Sequence, residues 1–277
     1  MSTIRLPASL YQQFDADLSL DVPGEGYGGW RRAEIEIDPA RTAVALMHAW
    51  DCGAPDQFPG WYRCVEYIPR ANAIAENVLP PLLAAVRGSA IPLFHVVESG
   101  RYYQDYPGYR RAVELAGPER QSESGQGEPG RAEPDPAWER LRAFRSDHVF
   151  VGAHNRADVE AGFARLDFHP AARPVGEEGV AENATQLAAL CREAGVNHLV
   201  YAGFAINGCL LTSPGGMVDM SRRGFICSAI RQAVTAIENR ESARGELHKE
   251  EALWRVALLY GFVFDVDDFT TAIRGAR

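Results

Sequence analysis

Apolar segments with the length of buried strands alternate in this sequence with segments of helical periodicity. The first two strand-like segments are Thr42 to Met47 and Ile91 to Val97, and apolar residues recur at helical spacing from Pro69 to Val86 between them. Continuous apolar runs are typical of parallel strands with both faces covered, and a helical crossover allows two such strands to pair in parallel. We therefore predict an α/β fold with a doubly wound, Rossmann-like parallel sheet and helices on both faces.

The rest of the sequence supplies four further strands, so that the predicted sheet has six. Their predicted ranges are 148–151, 198–202, 225–230 and 261–265. Residues 1–40 have little periodicity and are expected to form an N-terminal arm on the surface. Residues 41–277 are expected to form a single domain with a long loop at about 100–147, whose centre is rich in glycine, proline, serine and glutamate.

Composition and charge exclude several classes of protein. No apolar run approaches the length of about 18 residues that a membrane span needs, so we expect no membrane partner. The net charge of −9 without a basic stripe argues against binding to nucleic acid. The five cysteines include no C-x-x-C pair, and no basic and apolar leader is evident, so we expect reduced thiols in a cytoplasmic protein.

No cofactor is predicted. The glycines of 24–29 and of 125–130 match G-x-G-x-x-G, but neither match has the strand–turn–helix context that brings a helix N-terminus to a phosphate. A zinc site is not predicted either, because the segment from Asp51 to Tyr67 contains no histidine.

A cysteine follows the apolar segment His198 to Ala202 at the point where the sequence should enter a helix. Gly203 ends the segment, Asn207 is a favoured N-cap residue, and Cys209 follows two positions later. Unpaired backbone N–H groups in a first helical turn stabilise a thiolate and can hold the oxyanion of a substrate carbonyl. Cys209 is therefore either a nucleophile or a small buried hydrophobic residue.

The segment 203–209, GFAINGC, resembles the G-V-A-T-N-x-C signature of the isochorismatase-like cysteine hydrolases. The resemblance covers about 42–264 and implies the isochorismatase-like fold, in which the strand ends after Met47 and Ala202 lie side by side. It further implies a non-proline cis peptide bond at Phe204–Ala205, which helps to form the oxyanion hole. A homo-oligomer, either a dimer or a tetramer, is also expected from the resemblance.

The sequence departs from the family pattern at two positions. In the family, an aspartate that ends the first strand acts as the base, and a lysine after the third strand assists it. Here His48 occupies the position of the aspartate, Asp51 follows three residues later, and the only lysine is Lys249. The resemblance is therefore to a divergent branch without the family lysine. The charge of that lysine could be replaced by His154, Arg156 or Arg173.

The predicted catalytic residues are Cys209, with Asp51 or His48 as the base. The residues predicted to form the oxyanion hole or to bind substrate are Phe204, Ala205, Asn207, Trp50 and His95. Glu98, which follows the second strand, is a further candidate for substrate binding. The aromatic residues Trp50, Trp61, Tyr62, Tyr102, Tyr103, Tyr106 and Tyr109 either line an apolar substrate site or pack in the core.

Three functions fit these residues, each with a small molecule as the ligand. The first is a cysteine-dependent hydrolase of a small amide or other carbon–nitrogen substrate, with Cys209 as the nucleophile. The second is a binding or interaction protein that retains the fold and has lost hydrolysis. The third is vinyl-ether hydrolysis of an isochorismate-like substrate without a covalent intermediate, in which Asp51 or His48 would matter and Cys209 would not.

Overall fold

The computed structural model describes residues 3–117 and 134–275, which contain one eight-stranded sheet. The order of the strands across the sheet is β2-β1-β8-β7-β6-β3-β4-β5. The strands from β3 onward pair in parallel, whereas β1 pairs antiparallel with both β2 and β8. The bounds of the strands are β1 (Ile4–Gln12), β2 (Gly29–Ile37), β3 (Thr42–Met47), β4 (Leu93–Val96), β5 (Gly179–Ala181), β6 (His198–Phe204), β7 (Ile226–Thr235) and β8 (Val263–Phe264).

Helices cover both faces of the sheet, as predicted. One face packs mainly against α4, α7, α8 and α9, and the other mainly against α2, α3 and α10. The bounds of the helices are α1 (Pro59–Cys64), α2 (Ile68–Asn77), α3 (Leu79–Arg87), α4 (Pro107–Ala116), α5 (Pro136–His148), α6 (Arg156–Phe163), α7 (Ala184–Ala194), α8 (Met217–Arg222), α9 (Leu247–Leu259) and α10 (Val266–Arg274). None of the helices in the described part of the chain is long and apolar enough to cross a membrane.

The predicted α/β fold is confirmed, but one of the six predicted parallel strands is formed by a different segment of the sequence. The prediction of a strand at 148–151 is wrong, because His148 ends α5 and the next two residues, Val149 and Phe150, are exposed. The edge position belongs to β5, which pairs with β4 through Phe94 and Gly179. All three residues of β5 are buried, but so short a segment shows no periodicity in the sequence.

The sheet has two more strands than predicted, because the N-terminal residues pair with each other. We expected 1–40 to be an arm on the surface, whereas β1 and β2 form an antiparallel hairpin nine residues long. The hairpin joins the sheet through Ser9 and Val263, which pair β1 with β8. Only Leu6 and Ala8 of β1 are buried, so the hydrophobic signal of these strands is weak in the sequence.

The expected loop at about 100–147 is helical at both ends. Helix α4 covers Pro107–Ala116, and helix α5 begins at Pro136, where the Asp135 carboxylate accepts hydrogen bonds from two backbone N–H groups of the first turn. Residues 118–133, the centre of the expected loop, lie outside the described residues.

The pairing of β3 with β6 fixes the region from which the candidate site is built. Both strands are completely buried, and their parallel register runs from Thr42 opposite His198 to Met47 opposite Gly203. At the end of this register Gly203 has a φ of +115°, and a Cβ atom there would lie 1.9 Å from the Met47 carbonyl oxygen. The two strand ends can lie side by side, as the resemblance implied, because Gly203 has no side chain.

We expect Gly203→Ala to lower the free energy of unfolding by at least about 3 kcal/mol, because it combines an unfavourable φ with a backbone clash. Gly195→Ala is the matched control. Gly195 also has a positive φ, but the nearest atom to an added Cβ is 3.8 Å away, so we expect a loss of about 1 kcal/mol. Urea unfolding of both variants measures the difference, and equal losses would contradict the role of the close contact with Met47.

Candidate active site

The nucleophile candidate lies on a turn that follows β6 directly. The peptide bond between Phe204 and Ala205 is cis, at the position that the resemblance implied. A π-helical turn, Ile206–Leu210, comes next and carries Cys209, whose side chain is partly buried. The wider π-helical winding is often found at functional sites.

Backbone N–H groups lie beside the Cys209 sulfur and influence its pKa. Burial raises the pKa of the Cys209 thiol, whereas hydrogen bonds from Ser213 and from the N–H groups of Ala205 and of Cys209 itself lower it. The nearby Glu98 carboxylate raises it again, and the net result is a pKa above the ordinary value of a cysteine. Backbone N–H groups beside a thiol stabilise the thiolate, and an oxyanion hole requires such donors at the position of the substrate oxygen.

His48 and Glu98 lie beside this turn, at the ends of β3 and β4. The Nε2 atom of His48 is 3.7 Å from Oε2 of Glu98, which is too long for a hydrogen bond. The His48 side chain is almost completely buried, and neither ring nitrogen has a hydrogen-bond partner among the described residues. Burial lowers the pKa of His48 to about 3, so the ring is neutral at physiological pH and offers one donor and one acceptor.

Three of the residues predicted for the site make other contacts in the structure. The Asp51 carboxylate accepts a hydrogen bond from the Gly53 N–H at 2.8 Å, which closes a tight turn after β3. The Asn207 amide donates to the Ile237 carbonyl and accepts from the Ile237 N–H. His95 is buried, and its Nε2 lies 2.9 Å from the Glu178 carboxylate.

An apolar cavity of about 100 Å³ opens next to His48, under α1, α2 and α6. We call it the aromatic cavity. The residues that line it are His48, Trp50, Cys52, Trp61, Cys64, Val65, Tyr67, Ile68, Ala71, Phe150, Val159, Phe163 and Phe204.

Two residues connect the aromatic cavity to the turn that carries Cys209. Phe204 lines the cavity and is joined to Ala205 by the cis peptide bond. Tyr67 also lines it, and burial together with the nearby thiols of Cys209 and Cys52 raises the pKa of its phenol. Cys209 itself is not part of the cavity lining, so the thiol lies beside the cavity.

The predicted aromatic residues divide between the cavity and the core. Trp50 and Trp61 line the cavity, and the Trp50 ring stacks on His48 with 4.6 Å between the ring centroids. The Trp50 N–H is donated to the Tyr102 hydroxyl at 2.8 Å. Tyr103 and Tyr109 instead donate their hydroxyls to Glu182, away from the cavity.

The arginines considered as replacements for the family lysine pair with other residues. Arg173 forms an ion pair with Asp167 at 2.8 Å, and Arg156 pairs with Asp147. His154 is exposed in the turn before α6. In the described part of the chain, no three histidine, cysteine, aspartate or glutamate side chains come together as they would to hold a metal ion.

The structure adds two residues to the site that the sequence did not rank highly. Glu98 follows the end of a buried strand, as His48 does, and this signal was available in the sequence. Tyr67 precedes α2 in a segment without any motif, so no local signal marks it.

Comparison with known proteins supports the fold. No family model matches the sequence, and no curated protein does. Among solved structures, a cysteine hydrolase from Pseudomonas syringae pv. phaseolicola 1448A is similar, with a TM-score of 0.50 and 16% identity over 87% of this chain and 96% of that chain. An isochorismatase-like hydrolase from Alkaliphilus metalliredigens has a TM-score of 0.49 and 15% identity over 85% of this chain and 99% of that one.

The likeness to the first of these structures shows that the chain has the α/β fold of a cysteine hydrolase. The resemblance seen in the sequence is therefore confirmed for the fold.

The groups around Cys209 predict how its reactivity depends on pH. Because burial and Glu98 raise the pKa of the thiol, we expect alkylation by iodoacetamide to be slow at pH 7 and to reach half of its maximal rate above about pH 8.5. Glu98→Gln removes a negative charge and should move this midpoint to lower pH. Peptide mapping by mass spectrometry follows Cys209 itself, with Glu114→Gln as an exposed control on α4. A midpoint that does not respond to Glu98→Gln would contradict the proximity of the two groups.

The buried histidines predict a loss of stability in acid. Burial lowers the pKa to about 3 for His48 and to about 4 for His198, whereas both bind protons near pH 6.5 when the chain is unfolded. The contribution of these neutral histidines to the free energy of unfolding is therefore fully present above pH 6.5. It falls toward pH 4 by about 1.4 kcal/mol per pH unit for each histidine.

Urea unfolding between pH 7 and pH 4.5 measures this slope. His198→Gln removes one of the titrating groups and should make the slope shallower, whereas His154→Gln removes an exposed histidine and should leave it unchanged. A stability that stays constant from pH 7 to pH 5 would argue against buried neutral histidines.

Proposed function

We propose that the protein is a cysteine-dependent hydrolase of a small amide or related carbon–nitrogen substrate, with Cys209 as the nucleophile. The observation that carries the proposal is the position of Cys209 on the π-helical turn directly after β6 and the Phe204–Ala205 cis peptide bond, with the Ala205 and Cys209 N–H groups beside its sulfur. A carbonyl carbon attacked by that sulfur would have its oxygen next to both donors. The similarity of the fold to a cysteine hydrolase supports the same class of reaction.

Glu98 is the base that we propose in place of Asp51 or His48. The Asp51 carboxylate already accepts the Gly53 N–H, and the low pKa of His48 makes its ring a weak proton acceptor. Glu98 lies near the Cys209 thiol, and its side chain is about half exposed, so a water molecule can reach it. His48 then serves as a neutral hydrogen-bonding group beside the substrate.

The proposed reaction proceeds in two stages. Glu98 takes the thiol proton, directly or through one water, and the sulfur forms a bond to the carbonyl carbon while the Ala205 and Cys209 N–H groups hold the oxyanion. When the carbonyl re-forms, the carbon–nitrogen bond breaks and the nitrogen leaves with the proton from Glu98. Water then attacks the thioester, gives a proton to Glu98, and releases the acid. The proton on Glu98 returns to the sulfur.

A second candidate function is a ligand-binding protein that no longer hydrolyses its ligand. The raised pKa of Cys209 and the pairing of Arg156 and Arg173 with carboxylates favour it, because neither of these two arginines is placed to stabilise the thiolate. Non-covalent hydrolysis of a vinyl ether is the third candidate, and it differs from the first in being independent of Cys209. Assembly into a homo-oligomer and a cytoplasmic location stay predictions from the sequence.

Turnover of a panel of small amides, followed by ammonia release, separates the amide hydrolase from the ligand-binding protein. Cys209→Ala should abolish turnover, because no other group replaces the sulfur, and Glu98→Gln should lower kcat/KM by about 10²- to 10⁴-fold, as expected for loss of a general base. Asp51→Asn keeps an oxygen that accepts the Gly53 N–H and should cost less than about tenfold.

Cys191→Ala is the thiol control for these variants, since Cys191 is buried in α7 and is not part of the turn that carries Cys209. Ammonia release that persists in Cys209→Ala would exclude Cys209 as the nucleophile. A larger loss for Asp51→Asn than for Glu98→Gln would transfer the role of base to Asp51.

A further inference from the structure

We propose that the substrate carries an uncharged apolar group of about four or five non-hydrogen atoms, which binds in the aromatic cavity, and that the Tyr67 hydroxyl positions the adjacent amide at Cys209. This inference rests on the proposed hydrolase function and specifies its substrate class.

The chemistry of the cavity wall excludes a charged group. None of the described residues that line the cavity is an arginine, lysine, aspartate or glutamate. His48 is neutral, so it does not supply a charge either. A carboxylate or an ammonium group that entered the cavity would lose its hydration without gaining an ionic partner, which is strongly unfavourable.

The volume of the cavity limits the size of the bound group. An apolar cavity of about 150 Å³ accommodates benzene, which has six carbon atoms. The aromatic cavity has about 100 Å³, so a branched alkyl group of four or five carbons fills it.

Helices α1 and α6, which form two walls of the aromatic cavity, are held closely together. Gly162 of α6 lies against Trp61 of α1, and a Cβ atom at Gly162 would be 2.7 Å from the indole nitrogen. The Trp61 N–H is donated to the Val159 carbonyl of α6 at 3.2 Å. These contacts fix the distance between α1 and α6, and with it the width of the cavity.

Tyr67 connects the cavity to the reacting sulfur. Its ring lines the cavity, and its phenol is within electrostatic reach of the thiols of Cys209 and Cys52, which add to the effect of burial in raising the pKa of the phenol. The hydroxyl forms no hydrogen bond with another described residue, so its proton is free for a ligand. A substrate whose alkyl group fills the cavity would therefore place its amide between Tyr67 and Cys209, where the phenol can donate to it.

Isothermal titration calorimetry of the Cys209→Ala variant tests binding independently of hydrolysis. The ligands are isovaleramide, the anion isovalerate of the same size, and acetamide, which lacks three of the apolar carbons. We expect isovaleramide to bind at least about tenfold more tightly than either of the others, because three additional carbons are buried and no charge is desolvated. Equal or tighter binding of isovalerate would overturn the proposal.

Substitutions in the same background locate the bound alkyl group. Ala71→Leu fills the cavity and should weaken isovaleramide binding at least about tenfold. Ala73→Leu adds the same side chain to the exposed face of α2 and should change nothing. Phe163→Ala enlarges the cavity and should shift the preference from isovaleramide to cyclohexanecarboxamide. This second variant keeps the test decisive if Ala71→Leu does not fold. Unchanged binding in both cavity variants would exclude this location.

Tyr67→Phe tests the positioning role of the hydroxyl. This substitution should weaken the binding of isovaleramide and of acetamide by the same factor, because it removes a contact with the amide and leaves the cavity intact. Unequal losses would instead indicate that the cavity has changed shape, and no loss would exclude a contact between Tyr67 and the amide.

Turnover by the unmodified protein separates this inference from the proposed function. Preferential binding of isovaleramide without hydrolysis by the unmodified protein would uphold the cavity assignment and contradict the hydrolase. Hydrolysis of acetamide as efficiently as isovaleramide would uphold the hydrolase and contradict the cavity assignment.

Discussion

The contact between the ends of β3 and β6 is the constraint on which the rest of the site depends. At the last paired position, the Met47 carbonyl occupies the space that any side chain at residue 203 would need. The chain can therefore leave β6 directly over the end of β3, and the turn with Cys209 begins beside His48. Parallel strands that end at one edge provide the position, and a residue without a side chain makes the approach possible.

The sequence predicted the elements with strong local signals and missed those decided by distant contacts. The segment GFAINGC located the turn with Cys209, because strand, glycine and turn follow each other within a few residues, and the family resemblance that it carries implied the cis peptide bond before Ala205. The antiparallel hairpin of β1 and β2 was missed because few of its residues are buried. Strand β5 was missed because three residues are too few to show the alternation typical of a strand, and because its position depends on pairing with β4.

The candidate base illustrates the same limit within the site. Asp51 and Glu98 both follow buried strands, and their sequence neighbourhoods do not distinguish them. What separates them is the direction of the chain after each strand. The turn after β3 brings the Gly53 N–H to the Asp51 carboxylate, whereas Glu98 points toward His48 and the thiol. A preference between two carboxylates therefore requires the fold, since it depends on which backbone donor each one meets.

The cavity wall and the turn that carries Cys209 are attached to the sheet in different ways. The turn is covalently continuous with a strand buried in the middle of the sheet, whereas α1 packs mainly against α6, and these two helices form an outer layer over the strand ends. Substitutions at the inner faces of α1 and α6 can therefore alter the shape of the cavity while the ladder of the sheet stays intact. Over evolutionary time, such an arrangement allows the shape of the cavity to diversify among descendants of one ancestor without a new fold.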